Sequence, residues 1–411
     1  MTTALLLVLD AVGIPTLEYL LGRHSDPVAL PNLARLGLGD LLASPHRDRL
    51  GCGDPTSCAV PLMQGSADAD SVIGHREMCG AIDLRSFPLF FDGFPLEYVR
   101  ELASATGREY FYNEMAGGLD AIERNADEHE RTGRLILYAS KCDPVMQIAM
   151  NEDIVPVAEQ HAIVEAAFGL AWQMDVRVTR VISRPYVRTS SGGFRRTASR
   201  HDVVLPAAGT SLVDVLRRRG VRAVSVGKPS DLVGVPFDET VKLTDPGALR
   251  ADLRGTFVHR EGADTNPYTA EGVIDAVRRA RAVGGDTFVF GNFVDTDSLW
   301  GHTRDVSGSL ASLMMIDRIL PLIEAELGAG DLLLITADHG MEHRPDTPAG
   351  AGYGYHRREP VPLLAKRVGH GADLDGLSLG AAAGLTQVGD LVAQLFGCQR
   401  EFRDLVHVIP A

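Results

Sequence analysis

Residues 332–340 read Leu-Leu-Leu-Ile-Thr-Ala-Asp-His-Gly, an apolar run that stops at a carboxylate and an imidazole. A continuous apolar run ended by a glycine-containing turn is typical of a strand buried on both faces of a parallel sheet. Similar runs at 5–9 and 288–294 end at Asp10 and Asp295, and a run at 221–226 ends at Gly-Lys. In parallel sheets the ligand site lies beyond the carboxyl ends of the strands. The pattern therefore predicts a polar site at that edge.

Amphipathic helical stretches alternate with these apolar runs, at 210–219, 271–283 and 310–327. This alternation predicts a doubly wound α/β core with a mainly parallel sheet and helices on both faces. Residues 91–206 differ, because they mix charged, glycine-rich and irregular segments with shorter apolar runs. We therefore expect a discontinuous core, 1–90 and 207–411, with an α+β cap domain, 91–206, inserted into it.

The composition limits the partners and the compartment. Of the 411 residues, 40 are Lys or Arg and 54 are Asp or Glu, a net charge of −14, which argues against a nucleic-acid partner. The N-terminus lacks a basic leader and a cleavage site, and no apolar stretch approaches the roughly 20 residues of a membrane span. Reduced thiols fit the odd cysteine set without a CxxC spacing, Cys52, Cys58, Cys79, Cys142 and Cys398. We expect a cytoplasmic protein with no membrane partner; the oligomeric state stays open.

Carboxylates and imidazoles gather at the predicted strand ends and the adjoining loops. Taken singly, such an aspartate is more often a helix N-cap or turn former, and such a histidine is seldom a metal ligand. Taken together, three of each on one predicted face suit two divalent cations, which hold a phosphate between them and stabilise the entering and leaving oxygens. The predicted ligands are Asp10, Asp297, His302, Asp338, His339 and His356.

A candidate nucleophile is Ser71, in the stretch Asp70-Ser-Val-Ile-Gly-His-Arg-Glu77. If a helix begins there, its N-terminal amides favour a phosphate on the serine, and a metal bound to the hydroxyl makes it a usable nucleophile. The alternative is that Ser71 is only an N-cap.

Three motifs resemble the metal-binding motifs of bacterial phosphopentomutases, in the alkaline phosphatase superfamily. They are Asn292-Phe-Val-Asp-Thr-Asp-Ser-Leu-Trp-Gly-His-Thr-Arg-Asp305, Ile335-Thr-Ala-Asp-His-Gly340 and His356-Arg-Arg-Glu-Pro-Val-Pro-Leu363. These are shared with cofactor-independent phosphoglycerate mutases. The likeness extends through the inserted segment in motifs specific to phosphopentomutases, such as Gly133-Arg-Leu-Ile-Leu-Tyr-Ala-Ser140 and Ser183-Arg-Pro-Tyr186. It covers nearly the whole chain in order.

The resemblance implies roles for individual residues. One metal ion is expected on Asp10, Asp338, His339 and the hydroxyl of Ser71, and the other on Asp297, His302 and His356. The ions are expected to be Mn²⁺, with Mg²⁺ or Zn²⁺ as alternatives, and a sugar bisphosphate activator is left open. Positions associated with recognition of the sugar phosphate correspond to Asp143, Arg184, Arg200 and Lys228. For these four, a surface or interdomain salt bridge is the alternative.

The chain departs from the family pattern around the nucleophile. Ser71 stands where the family has threonine, which keeps the hydroxyl, and Ala69 stands where it has lysine, which removes a cation. Arg76, in place of a tryptophan, is a candidate to restore that charge. The loop between His339 and His356 is also longer than in the family. These changes surround the expected substrate and leave the metal ligands intact. They therefore bear on the identity of the sugar more than on the type of reaction.

The resemblance favours a phosphomutase that moves a phosphoryl group between O1 and O5 of ribose, deoxyribose or a related sugar through a phosphoserine. The alternative is a metal-dependent phosphatase acting on a sugar phosphate or nucleotide, since a mutase must exclude water from the phosphoserine and a phosphatase must admit it. A third hypothesis, an inactive binding protein, predicts eroded ligands, and all six are present.

Overall fold

The structure is a computed structural model that describes residues 1–50, 57–190, 192–206, 209–241, 249, 253, 265–344, 354–370, 374, 376–380 and 384–411. It divides into two compact units. The first contains Met1–Arg85 and the described residues beyond 206, and the second contains Ser86–Pro206. The boundaries expected from the sequence lie at 90 and 206. The chain thus leaves the first unit near residue 85 and returns to it after residue 206.

The strands are numbered in chain order. They are β1 (Thr3–Leu9), β2 (Cys58–Leu62), β3 (Ala81–Asp83), β4 (Tyr110–Met115), β5 (Leu135–Ala139), β6 (Val145–Asn151), β7 (Arg180–Arg188), β8 (Phe194–Arg196), β9 (His201–Val204), β10 (Arg222–Val226), β11 (Glu239–Val241), β12 (Thr287–Phe293), β13 (Leu332–Thr336), β14 (Gly340–Met341), β15 (His356–Arg357), β16 (Val361–Arg367) and β17 (His407–Ile409).

The α-helices follow the same order, with a 3₁₀ turn at Leu38–Leu41 and a π-helical turn at Thr296–Gly301. They are α1 (Ile14–Arg23), α2 (Pro31–Arg35), α3 (Ser44–Leu50), α4 (Ser71–Met78), α5 (Leu96–Thr106), α6 (Gly118–Thr132), α7 (Val157–Gln173), α8 (Leu212–Arg218), α9 (Pro229–Val233), α10 (Asn266–Val283), α11 (Val306–Glu324), α12 (Thr386–Leu395) and α13 (Gln399–Leu405).

The first unit is built on a seven-stranded sheet in the order β11-β10-β12-β1-β13-β16-β2. The five strands from β11 to β13 are mutually parallel, and β16 runs antiparallel to both of its neighbours. Every residue of β1, β12 and β13 is buried, because helices cover both faces of the sheet centre. This confirms the predicted α/β core with a mainly parallel sheet.

The register of the central strands positions the site. Val8 on β1 lies opposite Asn292 on β12 and opposite Thr336 on β13. Two residues beyond Val8 and Thr336 come Asp10 and Asp338, so both carboxylates leave the sheet at the same level. Distant parts of the sequence therefore meet at the carboxyl edge, as the strand pattern predicts.

The helix α11 is long and apolar enough to cross a membrane, with 19 residues and a mean hydropathy of 1.4 in its most apolar window. The sequence was expected to hold no such stretch, so that expectation is wrong for this helix. Of the window, 61% is buried inside the protein, and Leu313, Ile316 and Leu320 belong to the core of the first unit. Burial of this kind is typical of a core helix.

The second unit has its own sheet, in the order β4-β5-β6-β7-β8, with β9 also paired to β7. Its β4–β5 and β6–β7 pairs are parallel, and its other pairs are antiparallel. A separate apolar core includes Tyr98, Leu137, Ile148 and Val164. The unit therefore has the mixed α+β character that the sequence predicts for the middle of the chain.

Two expectations fall partly outside the described residues. They concern Cys52 and the long loop between His339 and His356, of which residues 345–353 lie outside the described part of the chain. Cys58, Cys79 and Cys398 carry free thiols.

Candidate metal centre and nucleophile

One group of side chains forms where β1 and β13 end and α4 begins. His339 Nε2 lies 3.2 Å from Ser71 Oγ, 3.5 Å from Asp10 Oδ1 and 3.6 Å from Asp338 Oδ2. The ligand atoms of Asp10, Asp338 and His339 all lie within 4.8 Å of one another, and all three residues are fully buried. The structure thus brings four of the predicted site residues together around a single imidazole nitrogen.

A second group forms around Asp297, in the π-helical turn that follows β12. Asp297 Oδ1 lies 3.2 Å from His356 Nε2 and 3.3 Å from His302 Nε2. The turn places Asp297 and His302 on one side because the His302 N–H donates to the Asp297 carbonyl at 3.1 Å. His356 is the first residue of β15. This strand pairs with β14, which begins directly after His339.

His339 belongs to both groups. Its ring stacks on that of His356 with centroids 3.8 Å apart, and the ligand atoms of Asp297, His339 and His356 lie within 4.8 Å of one another. The His339 Nδ1 faces the Gly340 carbonyl at 3.0 Å, which accepts a hydrogen bond and so leaves Nε2 as the ligand atom. The two groups therefore adjoin, which is the arrangement that a two-metal centre requires.

Burial and the charges of neighbouring carboxylates dominate the electrostatics of Asp10. Burial raises the pKa of Asp10 well above its ordinary value, and the neighbouring Asp338 and Asp297 carboxylates raise it further. Burial acts in the same direction on Asp297, but the imidazoles of His302 and His356 hold the pKa of Asp297 well below its ordinary value. Clustered buried carboxylates of this kind are stabilised by cations.

A buried oxygen without a hydrogen-bond partner also indicates that these residues fit divalent cations. Asp10 Oδ1 is buried and accepts no hydrogen bond from the described residues, although a buried carboxylate oxygen ordinarily has a partner. Carboxylate oxygens suit Mg²⁺ and Mn²⁺, and imidazoles suit Zn²⁺ as well. The first group would supply Asp10, Asp338, His339 and Ser71, and the second would supply Asp297, His302 and His356.

Ser71 is the first residue of α4 and is not its cap. Asp70 caps the helix, because its Oδ1 accepts a hydrogen bond from the Val72 N–H at 2.8 Å. The N-cap reading of Ser71 is therefore wrong, and so is the N-cap reading of Asp10, since Gly13 holds that position on α1. The Ser71 hydroxyl instead points toward His339 at the positive end of a helix dipole.

Two cations of the first unit that the sequence analysis singled out, Lys228 and Arg76, lie next to α9. Lys228 directly precedes α9, and its positive charge opposes the rise in the pKa of Asp10. Arg76 on α4 is buried, and its Nε donates to the Leu232 carbonyl at 3.1 Å. Burial lowers the pKa of Arg76 to about 10, which still leaves the guanidinium charged at neutral pH.

The remaining predicted residues lie in the second unit and are engaged there. Arg200 forms a two-point ion pair with Asp202, with Nε–Oδ1 2.6 Å and Nη2–Oδ2 2.5 Å. Arg184 Nε donates to Gln147 Oε1 at 2.7 Å, and Asp143 lies 3.9 Å from the Arg180 guanidinium. Burial, followed by the nearby Arg200, lowers the pKa of Arg184 to about 10.

Several supporting residues had no role assigned from the sequence. Asn292 Nδ2 donates to Asp10 Oδ2 at 3.0 Å, and the Thr296 hydroxyl donates to the Asp10 carbonyl at 2.6 Å. Glu359 accepts hydrogen bonds from the amide and the hydroxyl of Thr16, so it connects α1 to the segment after β15. The sequence signal for Asn292 is an amide side chain within the apolar run 288–294. The register of β1 and β12 places it opposite Val8, two residues before Asp10.

Comparisons with known proteins cover almost the entire chain. A sequence model described as Metalloenzyme superfamily matches residues 256–400. Phosphopentomutase from Desulfitobacterium hafniense is 33% identical over 97% of both chains. Phosphopentomutase from Herpetosiphon aurantiacus is 33% identical, covering 96% of this chain and 95% of its own. The chain belongs to the phosphopentomutase family. Its phosphopentomutase relatives also include that of Thermotoga maritima, 32% identical over 95% of both chains.

Membership of the phosphopentomutase family makes this chain an enzyme, a metal-dependent phosphomutase. Divalent metal use agrees with the carboxylate and imidazole groups described above. Solved structures similar to it include a Leishmania mexicana phosphoglycerate mutase, with a TM-score of 0.46, 13% identity and coverage of 96% of this chain and 95% of that one. The PH0037 protein from Pyrococcus horikoshii gives a TM-score of 0.40 at 15% identity, covering 98% and 97%.

Proposed function

We propose that the enzyme moves a phosphoryl group between O1 and O5 of ribose, deoxyribose or a closely related sugar, and that Ser71 carries the group in transit. The observation that supports this is the position of the Ser71 hydroxyl, buried at the start of α4 and 3.2 Å from His339 Nε2. The phosphopentomutase relatives, named for the isomerisation of pentose phosphates, support the choice of sugar.

The proposal places two divalent ions, Mn²⁺ by preference, in the two adjoining groups. When bound, such ions neutralise phosphate charge and make a serine hydroxyl a usable nucleophile at neutral pH. Asp10 and Asp338 contribute the negative charge that holds a cation beside Ser71. His302 and His356 complete the second group around Asp297.

The proposed phosphoryl transfer proceeds through the side chain of Ser71. Phosphorylated Ser71 donates its phosphoryl group to the free sugar hydroxyl, which gives a bisphosphate, and the phosphoryl group at the other position returns to the serine. The positive end of the α4 dipole stabilises the charge on Ser71 in both half-reactions. Nothing is consumed, since the serine ends each cycle phosphorylated.

Recognition of the sugar phosphate is assigned in this proposal to Lys228 in the first unit and to Asp143, Arg184 and Arg200 in the second. Lys228 is supported by its charge acting on Asp10. Arg184 and Arg200 are supported by their guanidinium groups, which can grip phosphate oxygens at two points. Their pairs with Gln147 and Asp202 would orient them for that role.

The covalent step is tested by mass. Incubation with ribose 1-phosphate or a pentose bisphosphate and Mn²⁺ should add one phosphoryl group, about 80 Da, to the peptide that contains Ser71. Ser71→Ala should lose both the adduct and turnover, and Ser71→Thr should keep part of the activity because the hydroxyl remains. Full activity in an unlabelled enzyme would contradict the phosphoserine.

The product separates the two candidate reactions. Ribose 1-phosphate should yield ribose 5-phosphate with no release of inorganic phosphate, read out together in one assay. Release of phosphate without isomerisation would establish the phosphatase alternative instead, in which water reaches the phosphoserine.

A further inference from the structure

His75 lies one helical turn after Ser71 on α4 and is fully buried. Its Nδ1 is 2.8 Å from the Ser71 carbonyl oxygen and 3.3 Å from Asp338 Oδ2. A carbonyl oxygen can only accept, so Nδ1 must carry the proton. That one N–H therefore lies between the backbone of the candidate nucleophile and a candidate metal ligand.

The ring of His75 is held in place by packing. It stacks on Phe290 of β12, with centroids 5.4 Å apart and planes inclined by 11°. Its Nε2 is buried and makes no hydrogen bond with the described residues, so the far side of the ring contributes packing alone. A rotation of the ring would exchange a bonded nitrogen for an unbonded one, which is unfavourable in a buried site.

The two oxygens of Asp338 have different surroundings. Oδ1 lies 3.2 Å from the Ala11 N–H and 3.2 Å from the His339 N–H, and it accepts from both backbone groups. Oδ2 is buried and accepts no hydrogen bond from the described residues. The side-chain nitrogens that lie beside it are His75 Nδ1 at 3.3 Å and His339 Nε2 at 3.6 Å. Backbone thus fixes one oxygen, and His75 is the neighbour that can fix the other.

The structure assigns to His75 the role of a positioning residue that aligns Asp338 Oδ2 with the first metal group and couples it to the backbone of Ser71. This rests on the proposed function for the identities of the nucleophile and the ligand. Partners that orient a metal ligand ordinarily change metal affinity by about 10–100-fold when they are removed. The shared N–H also implies that a substitution of His75 changes the position of the Ser71 backbone together with that of the Asp338 carboxylate.

Two matched variants separate the Nδ1 hydrogen bond from the ring. In His75→Asn the amide nitrogen can occupy the position of Nδ1, whereas in His75→Gln the amide lies near the position of Nε2. The full-length Mn²⁺-loaded protein is titrated with a competing chelator, and the bound manganese is counted at each step. We expect His75→Gln to weaken one of the two ions by about 10–100-fold and to leave the other unchanged. His75→Asn should restore most of that affinity.

A packing control is provided by Phe290→Leu, which removes the stacked ring and leaves the N–H in place. It should retain both manganese affinities even if its unfolding temperature falls. Wild-type affinities in both His75 variants, or equal weakening of both ions in His75→Gln and Phe290→Leu, would overturn the inference. Activity does not enter this readout. A wild-type protein that binds two ions yet isomerises no pentose phosphate would contradict the proposed function and leave the role of His75 intact.

Discussion

Arg200 and Asp202 are joined at two points, Nε–Oδ1 and Nη2–Oδ2, and the side chain of Arg200 is 44% exposed. An exposed pair of this kind contributes little to stability, about 0–1 kcal/mol. A guanidinium that is already oriented by a carboxylate is, however, well prepared to grip a phosphate. The two roles differ in what the loss of the guanidinium changes. Loss of a surface salt bridge leaves catalysis intact, whereas loss of a substrate-binding arginine weakens it.

Arg200→Ala should therefore lower kcat/KM for a pentose phosphate by about ten-fold or more, which corresponds to roughly 1.4 kcal/mol, with little change in unfolding temperature. Asp202→Asn, which keeps the arginine but loosens it, is the matched control and should have a smaller effect. Steady-state kinetics on the two variants measures both. Unchanged kinetics in Arg200→Ala would reduce the residue to its ion pair.

His129 is a buried histidine whose two nitrogens are both engaged. Nδ1 lies 2.6 Å from the Arg134 carbonyl oxygen, and Nε2 accepts from the Asn151 N–H at 3.0 Å, so the ring is held neutral with its proton on Nδ1. Burial lowers the pKa of His129, opposed by the Arg134 carbonyl and by the charge of Glu130. Protonation would place a second donor against the Asn151 N–H.

Because the folded pKa of His129 lies below its unfolded value, its contribution to stability is complete above about pH 6.5 and is lost as the pH falls from there. We expect hydrogen exchange in peptides of α6 and β6 to accelerate between pH 7.5 and 5.5, after correction for the intrinsic rate. In His129→Gln, which can accept but cannot titrate, that pH dependence should shrink. An identical pH response in the variant would show that other groups carry it.

The helix α4 is pressed against the end of β13. A Cβ added at Gly74 would lie 2.8 Å from Asp338 Cβ and even closer to the Asp338 carbonyl oxygen. Only a glycine lets the helix approach this closely, and the approach brings Ser71 and His75 to the metal groups. Gly169 on α7 offers the contrast, because a Cβ added there meets no atom within 4 Å.

Gly74→Ala should destabilise the protein by about 1–3 kcal/mol and displace Asp338, with a loss of bound metal. Gly169→Ala, the same change in an open helical position, should stabilise it by about 0.5–1 kcal/mol through helix propensity and the unfolded chain. Denaturant unfolding with a metal count on each variant distinguishes them. A neutral Gly74→Ala would show that the helix can shift without consequence.

The central strands were predictable because a strand buried on both faces carries a continuous apolar signal, as in β1, β12 and β13. The carboxylates that end these strands were predictable as a set, but their separate roles were not. Asp295 ends β12 like the others, yet it accepts from Thr265 N–H and Asn266 N–H and so fixes the start of α10. Strand-end position alone does not distinguish a cap from a ligand, because both roles need a carboxylate directly beyond the end of a strand.

The contacts between segments distant in sequence were the least predictable. His75 was visible in the sequence beside Ser71, but its neighbour Asp338 comes from the other end of the chain. The packing of Gly74 on Asp338 has no local signature either, since a glycine within a helix predicts only a weaker helix. The residue pattern supplied the six predicted ligands and the family resemblance divided them between two ions, but neither assigned a role to these supporting residues.

At the scale of the whole molecule, the metal groups bring together β1, β12, β13 and α4 of the first unit. Ions bound only by the folded protein stabilise it by RT ln(1 + [L]/Kd), about 2.7 kcal/mol at 100 times Kd. Chelation, or loss of a ligand by Asp338→Asn or His302→Ala, should therefore lower bound metal, abolish turnover and speed hydrogen exchange in the first unit. Exchange in the second unit should not change.

Asp404→Asn is the control for this prediction, because that carboxylate is 75% exposed and belongs to neither metal group. It should keep wild-type metal content, activity and exchange. Near-normal activity in Asp338→Asn or His302→Ala would contradict the two-metal assignment.

The position of β1 in the sheet also has a consequence during synthesis. This strand leaves the ribosome before the other strands that the structure describes, yet both of its neighbours, β12 and β13, begin only at Thr287 and Leu332. At translation speeds of roughly 5–20 residues per second, the nascent chain carries an unpaired apolar strand for roughly 15–60 s. The strands of the second unit, Tyr110 to Val204, all emerge within that interval. In a ribosome stalled near residue 280, the strands of the second unit have therefore been synthesised while β1 still lacks both of its neighbours. The unpaired apolar β1 is then a segment to which a chaperone can bind.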